Sequence, residues 1–206
     1  MTAAGKMEIR YPRPPMSLVW EGRASAAPDI YVGGMEAAAD ISYLTEHGVG
    51  SVLNCSINAD IDYVDVPYDA EARDDLNRYG YGPIRYYKLG LVDGPGNPPE
   101  MLLAGYYLLC GIIGQQMPDR PSYPNRDRGH VLVNCRAGRS RSIILVSLYL
   151  HLQHPGRFPN LADALTFVRA AREIRPDEFH EAPNSDLIEA AEWAVAAVGR
   201  LNRAAD

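Results

Sequence analysis

Cys135 and Arg141 stand six residues apart in the segment VLVNCRAGRSRSIILVSLYLHL (131–152), with Ser142 directly after the arginine. Two more arginines, Arg136 and Arg139, crowd the same stretch. A free thiol titrates near about 8.5, and backbone amides, a helix N-terminus and cations lower that value by several units, leaving a thiolate nucleophile. An arginine fork grips two oxygens of a tetrahedral anion in one plane, which lysine cannot do. If 135–141 curls so that successive N–H groups point inward, it forms an anion nest at a helix N-terminus. Gly138 permits the backbone angles such a curl needs. The expected phosphate-binding set is Arg136, Ala137, Gly138, Arg139, Ser140 and Arg141. Cys135 would attack phosphorus in line, giving a cysteinyl-phosphate that water hydrolyses. Ser142 would donate a hydrogen bond to the sulfur and help it leave. This chemistry calls for no metal or other cofactor. A lone cysteine at a strand end is ordinarily packing, but burying three arginines around it without an anion would be costly.

The leaving oxygen needs a proton from an acid on a loop that closes over the phosphate. Asp93 fits: it ends an apolar strand and begins the loop DGPGNPP. A capping role is the plainer alternative for it. Asp60, Asp62 and Asp65 are rivals within an acidic stretch.

The elements that must position these groups read as an α/β layer architecture with a central, mostly parallel sheet of four to five strands flanked by helices. Strands are expected at 29–34, 49–55, 84–93 and 130–134, with an edge strand at SLVW in a proline-rich arm. Helices are expected at 40–48, capped by Asp40, and at 97–114, capped by Asn97 and apolar nearly all round, hence buried. Others are expected at 141–152, 160–174 and 184–199. The segments 56–82, acidic and tyrosine-rich, and 115–129, rich in proline and arginine, are too long for ordinary connections and read as surface loops that set the depth of the pocket. Tyr86, Tyr87, Tyr106 and Tyr107 are expected in the core; the tyrosines of 63–81 either line a rim or cover a loop. The division is an N-terminal arm 1–27, a domain 28–199 and a tail 200–206.

The motif C-x-x-x-x-x-R-S, Cys135 to Ser142, resembles the signature of the cysteine-dependent protein tyrosine phosphatases, and the flanks resemble their dual-specificity branch. IYVGGMEAAADISYLTEHGVGSVLNCS is similar to that branch's N-terminal strand–helix–strand segment. YYKLGLVDGPGNPP is similar to its acid loop, and FVRAAREIRP with Pro183-Asn184 to its C-terminal segment. The likeness covers roughly 28–195. It implies a dual-specificity phosphatase fold, nucleophile Cys135, general acid Asp93, and phosphotyrosine or phosphothreonine in proteins as substrate. The Asp93-to-Cys135 spacing is longer than usual for the branch, and 115–129 accounts for the excess. The loop CRAGRSRS, basic at Arg136 and Arg139, also resembles those of phosphoinositide and phosphatidylglycerophosphate phosphatases. That implies the alternative of a lipid or inositol-phosphate substrate, since two added charges favour a second phosphate or an acidic headgroup. Against this, the two arginines would face solvent or pair with carboxylates of 56–75. The branch usually has histidine where Asn134 stands. Asparagine carries no charge, so the expectation is a working nucleophile with a somewhat higher pKa, and a catalytically weak phosphate-binding module is the further alternative. A rhodanese-like sulfur transferase shares the cysteine cradle but needs neither Asp93 nor the 28–55 segment, and ranks last.

Composition narrows the remaining classes. The 206 residues are 47% hydrophobic and 22% charged, enough for a sizeable core, with net charge −6, which argues against general nucleic-acid binding. The cysteines, Cys55, Cys110 and Cys135, are odd in number and widely spaced, a reduced-compartment pattern. No run of 18 apolar residues and no apolar core of signal-peptide length is present, so the expected location is cytoplasmic. Cys55 reads as a buried small hydrophobe, or as a partner that forms a protective disulfide with Cys135 on oxidation.

Overall fold

The strand that delivers Cys135 lies at the middle of the sheet. In a computed structural model, which describes residues 11–22, 27–64, 71, 82–120, 123 and 126–205, five strands form one sheet. They are β1 (Met16–Trp20), β2 (Ile30–Gly33), β3 (Val49–Ser56), β4 (Arg85–Leu91) and β5 (His130–Asn134), in the order β1-β2-β5-β3-β4. β2, β5, β3 and β4 run parallel, and β1 closes one edge antiparallel to β2. The edge strand expected in the arm is thus part of the sheet.

β3 and β5 read as unbroken apolar runs because helices cover both faces of a parallel sheet. On one face lie α1 (Met35–Ala39) and α2 (Ile41–Glu46), where Ala37, Ala38 and Leu44 pack with Val52 and Leu132. Asp40 caps α2 as expected, its carboxylate accepting from the Tyr43 N–H at 2.9 Å. On the other face lie α3 (Glu100–Gly114), α4 (Arg141–Gln153), α5 (Leu161–Ala171) and α6 (Ser185–Ala205). The first ten residues of α4 are all buried, because this helix is enclosed by the sheet, α3, α5 and α6. Each fully buried Ile or Leu there contributes roughly 1.5–3 kcal/mol. The helix whose N-terminus holds the arginine is therefore enclosed over its first ten residues.

α3 differs from expectation. It buries only the face carrying Leu102, Tyr106, Leu109 and Ile112, while Tyr107 is exposed. Nor does Asn97 cap it. The N-cap is Pro99, without a side-chain bond, and Asn97 serves the preceding loop instead. Tyr63 is buried with the α1–α2 cluster. Tyr68, Tyr79, Tyr81 and Asp65 lie outside the described residues.

All four parallel strands point their carboxyl ends the same way, which is where α/β sheets place their ligands. Gly34, Asn58, Asp93 and Cys135 each follow one of those ends. The described part of 115–129 packs at the opposite end: Ser51 Oγ donates to the Arg128 carbonyl at 2.9 Å, and the Arg85 guanidinium donates to that of Arg126. Five residues of β5, about 17 Å, separate it from Cys135. The described residues of this segment therefore do not shape the pocket as expected; they pack at the amino ends of β3 and β4. Among the described residues no helix is long and apolar enough to cross a membrane.

Candidate active site

The loop 135–140 is held in its curl from outside. The carbonyl of Arg136 accepts from the Met35 N–H at 3.1 Å, and that of Gly138 accepts from Arg172 Nε at 3.1 Å. In a planar trans peptide the N–H points opposite to the C=O. Anchoring these two carbonyls outward therefore turns the N–H groups of Ala137 and Arg139 toward the centre. Gly138 has φ +67, and a Cβ there would meet the backbone of Gly33 and Gly34 at 2.5–2.9 Å. No other residue fits that position without moving the β2–α1 turn.

Cys135 is buried at the floor. Burial alone pushes its thiol up. The Ser142 hydroxyl, the backbone N–H groups of Ser142 and Ser140, and the charge of Arg141 together outweigh burial, and the net direction is down. Ser142 Oγ lies 3.3 Å from the sulfur. Cys55, fully buried on β3, shows the opposite balance: burial first, and the nearby Cys135 second, push its thiol well up. Two cysteines in one core thus have opposite chemistry, and the difference is the donors around one of them.

Arg141 is buried and anchored by one nitrogen. Its Nη1 donates to the Leu91 carbonyl at 3.1 Å and to Asn58 Oδ1 at 3.3 Å. Its buried Nε has no hydrogen-bond partner among the described residues. Its Nη2 lies 3.6 Å from Asp93 Oδ2. One edge of the fork thus fixes the side chain to the end of β4, while Nε is left unbonded among the described residues and Nη2 faces Asp93. Asp93, with a side chain 48% exposed, extends over the same space. Its loop is closed by Asn97, whose Oδ1 accepts from the Val92 N–H at 2.8 Å while its Nδ2 donates to the carbonyls of Val92 (2.9 Å) and Gly94 (3.0 Å). The rival Asp60 pairs with Lys88, and Asp62 accepts from the Val64 N–H at 3.0 Å. Asn134 donates to the Met35 sulfur at 3.3 Å and to the carbonyl of Cys135 at 3.5 Å.

The two additional arginines part company. Arg136 is exposed on the rim. Arg139 also lines the cleft but is held in ion pairs, with Nη2 2.7 Å from Glu181 and Nη1 3.4 Å from Glu178. Among the described residues these partners follow α5; of 56–75, where pairing was expected, 65–70 and 72–75 lie outside the described residues.

Three contributors were not anticipated. Arg172, at the end of α5, is buried, and besides Gly138 it donates to the Pro14 carbonyl at 2.6 Å and Ser17 Oγ at 3.0 Å. Burial first, and then the charge of Arg13, push it down to about 10, so it stays charged at neutral pH near Cys135. The segment Tyr11–Pro15 forms one wall of the cleft, tied by Tyr11 to Asp177 at 2.7 Å and by Arg13 to the buried Glu178. The segment after α5 forms another wall through Glu181 and Asn184. The cleft above Cys135 has a volume of about 750 Å³. A buried arginine in FVRAAREIRP was the one available signal; pairing across some 160 residues leaves no local pattern.

No family model matches the sequence. Solved structures with the same fold include a point variant of human DUSP28 (22% identity, TM-score 0.58, covering 91% of this chain and 99% of that one). They also include a mouse putative dual specificity phosphatase complexed with zinc tungstate (20%, 0.58, 96% and 97%) and human DUSP15 (19%, 0.55, 87% and 92%). At these identities the likeness establishes the architecture, a mostly parallel five-stranded α/β sheet of the dual-specificity phosphatase type.

Proposed function

We propose that this chain, which carries the fold of the dual-specificity phosphatases, is a phosphate-monoester hydrolase acting on phosphotyrosine or phosphothreonine in proteins. The observation that carries the reading is a buried thiol, 3.3 Å from Ser142 Oγ and drawn down in pKa by Ser142, loop amides and Arg141, with a buried Arg141 Nε left unbonded among the described residues. Such a set suits a tetrahedral dianion.

The substrate phosphate sits on the amides of 136–141 with Arg141 across two of its oxygens. The Cys135 thiolate attacks phosphorus in line. The S–P bond forms as the bond to the ester oxygen breaks, and Asp93 gives its proton to the departing alkoxide or phenoxide. Asp93, now a carboxylate, takes a proton from water. That water attacks the cysteinyl-phosphate, releasing inorganic phosphate and the thiolate, which Ser142 stabilises by its hydrogen bond. Asn134 is compatible with this cycle, because the influences that lower Cys135 come from Ser142, Ser140 and Arg141. That favours an enzyme over a weak phosphate-binding module.

The lipid or inositol-phosphate reading rested on Arg136 and Arg139. Arg139 is neutralised by Glu178 and Glu181, so Arg136 supports it alone. Steady-state turnover of a phosphopeptide panel beside phosphatidylinositol phosphates and phosphatidylglycerophosphate tests the assignment. The phosphopeptides should be preferred, with activity abolished in Cys135→Ser. Preference for the lipids would replace the substrate assignment, and turnover that survives Cys135→Ser would remove the mechanism.

A further inference from the structure

Two arginines of this loop line the cleft and could hold a second phosphate, and Arg139 is the one the fold covers. Its side chain is 13% exposed, against 47% for Glu181, so the pair presents its anionic end to the cleft. Behind it the Glu178 carboxylate, 5% exposed, takes Arg139 Nη1, the Arg13 guanidinium and the Arg175 N–H at 3.1 Å. That buried carboxylate fixes Arg139 from below, and Glu181 closes it from the solvent side. Glu36 and Asp93 also line the cleft, so among the described residues Glu181 is one of three carboxylates that face Arg13, Arg136, Arg139 and Arg172 around it.

We propose that Glu181 is a specificity-determining residue that masks Arg139 and makes the cleft select substrates carrying one phosphate over those carrying a second phosphate beside it. The proposal rests on the phosphatase reading above and narrows its substrate class. Its physical basis is discrimination by repulsion. A second phosphate approaching the rim meets the Glu181 carboxylate before it meets a guanidinium, and must displace that carboxylate from a 2.7 Å ion pair to gain one. The reacting phosphate, held by the loop amides and Arg141, does not meet it.

Two peptides identical except for a second phosphoresidue two positions from the first provide the test, since alternate residues of an extended chain share a face. The readout is the ratio of kcat/KM for the doubly phosphorylated peptide to that for the singly phosphorylated one. The wild-type protein should give a ratio below one. Glu181→Ala and Glu181→Gln should each raise it by about tenfold, the effect of removing one facing charge at a half-exposed site. The gain should vanish in Glu181→Ala/Arg139→Ala and shrink as salt screens it. An unchanged ratio in both Glu181 variants, or a wild-type ratio well above one, would overturn the proposal. The same peptides titrated calorimetrically into Cys135→Ser and Cys135→Ser/Glu181→Ala keep the two readings apart. If neither peptide is turned over the phosphatase reading fails, and the ratio of dissociation constants still decides for or against masking by Glu181.

Discussion

Ser142 is the residue on which the reactivity of Cys135 most depends, because its hydroxyl is the largest of the influences that offset burial. The thiol should therefore ionise more readily than an unperturbed cysteine. In alkylation by iodoacetate the rate rises with the thiolate fraction, so its midpoint should fall below that of the same cysteine in the unfolded chain, and Ser142→Ala should move it upward. A midpoint unmoved by Ser142→Ala would mean that the serine does not act on the sulfur. Asp93 makes a separate prediction. Asp93→Asn should lower kcat by about 10²–10⁴-fold on substrates with poor leaving groups and much less on those whose leaving group needs no proton. An equal loss on both kinds of substrate, or none, would assign the acid to another group.

At the level of elements, the loop 135–140 and the loop after β4 are each shaped by a side chain outside the proposed chemistry. Arg172 fastens the Gly138 carbonyl to the arm through Pro14 and Ser17. Removing it leaves several buried acceptors unpaired, and Arg172→Ala should cost at least about 2 kcal/mol in chemical denaturation. Gly138→Ala should cost a comparable amount, from the positive φ and the contact with Gly33. Asn97 closes the loop after β4 on itself. Asn97→Ala should lower kcat on the order of tenfold, since small misplacements of a catalytic group are expensive, while leaving the alkylation midpoint of Cys135 in place. A shift in that midpoint would mean that the loop also acts on the thiol. The sequence announced both loops but misread Asn97. A polar residue ahead of two prolines matches a helix cap, and the alternative of bonding back across the loop depends on the glycines at 94 and 96 in a way that spacing does not reveal.

Across the whole molecule, legibility followed locality. The strand–loop–helix around Cys135, the strand leading to Asp93 and the Asp40 cap are set by contiguous residues, and they stand where the sequence put them. The cleft walls are not local. Tyr11–Pro15 and the segment from Asp177 to Asn184 meet through Arg13–Glu178 and Tyr11–Asp177, pairs separated by more than 160 residues. The segment 115–129 was assigned to the pocket on length alone, yet the parallel topology carries its described residues to the opposite ends of the strands. Because the Arg13–Glu178 pair is buried, Arg13→Ala should destabilise the protein by about 2 kcal/mol, less than for an isolated buried pair since Glu178 keeps Arg139. Substrates too bulky for the walled cleft should gain relative to small ones.

The most direct test of the account is the covalent intermediate itself. The protein is mixed rapidly with a phosphotyrosine peptide, quenched in acid, digested and read by mass spectrometry. A phosphoryl group on the peptide containing Cys135 is the expected result. It should accumulate further in Ser142→Ala, where the sulfur leaves more slowly, and be absent in Cys135→Ser. Turnover with no adduct on Cys135, or turnover undiminished in Cys135→Ser, would contradict the account.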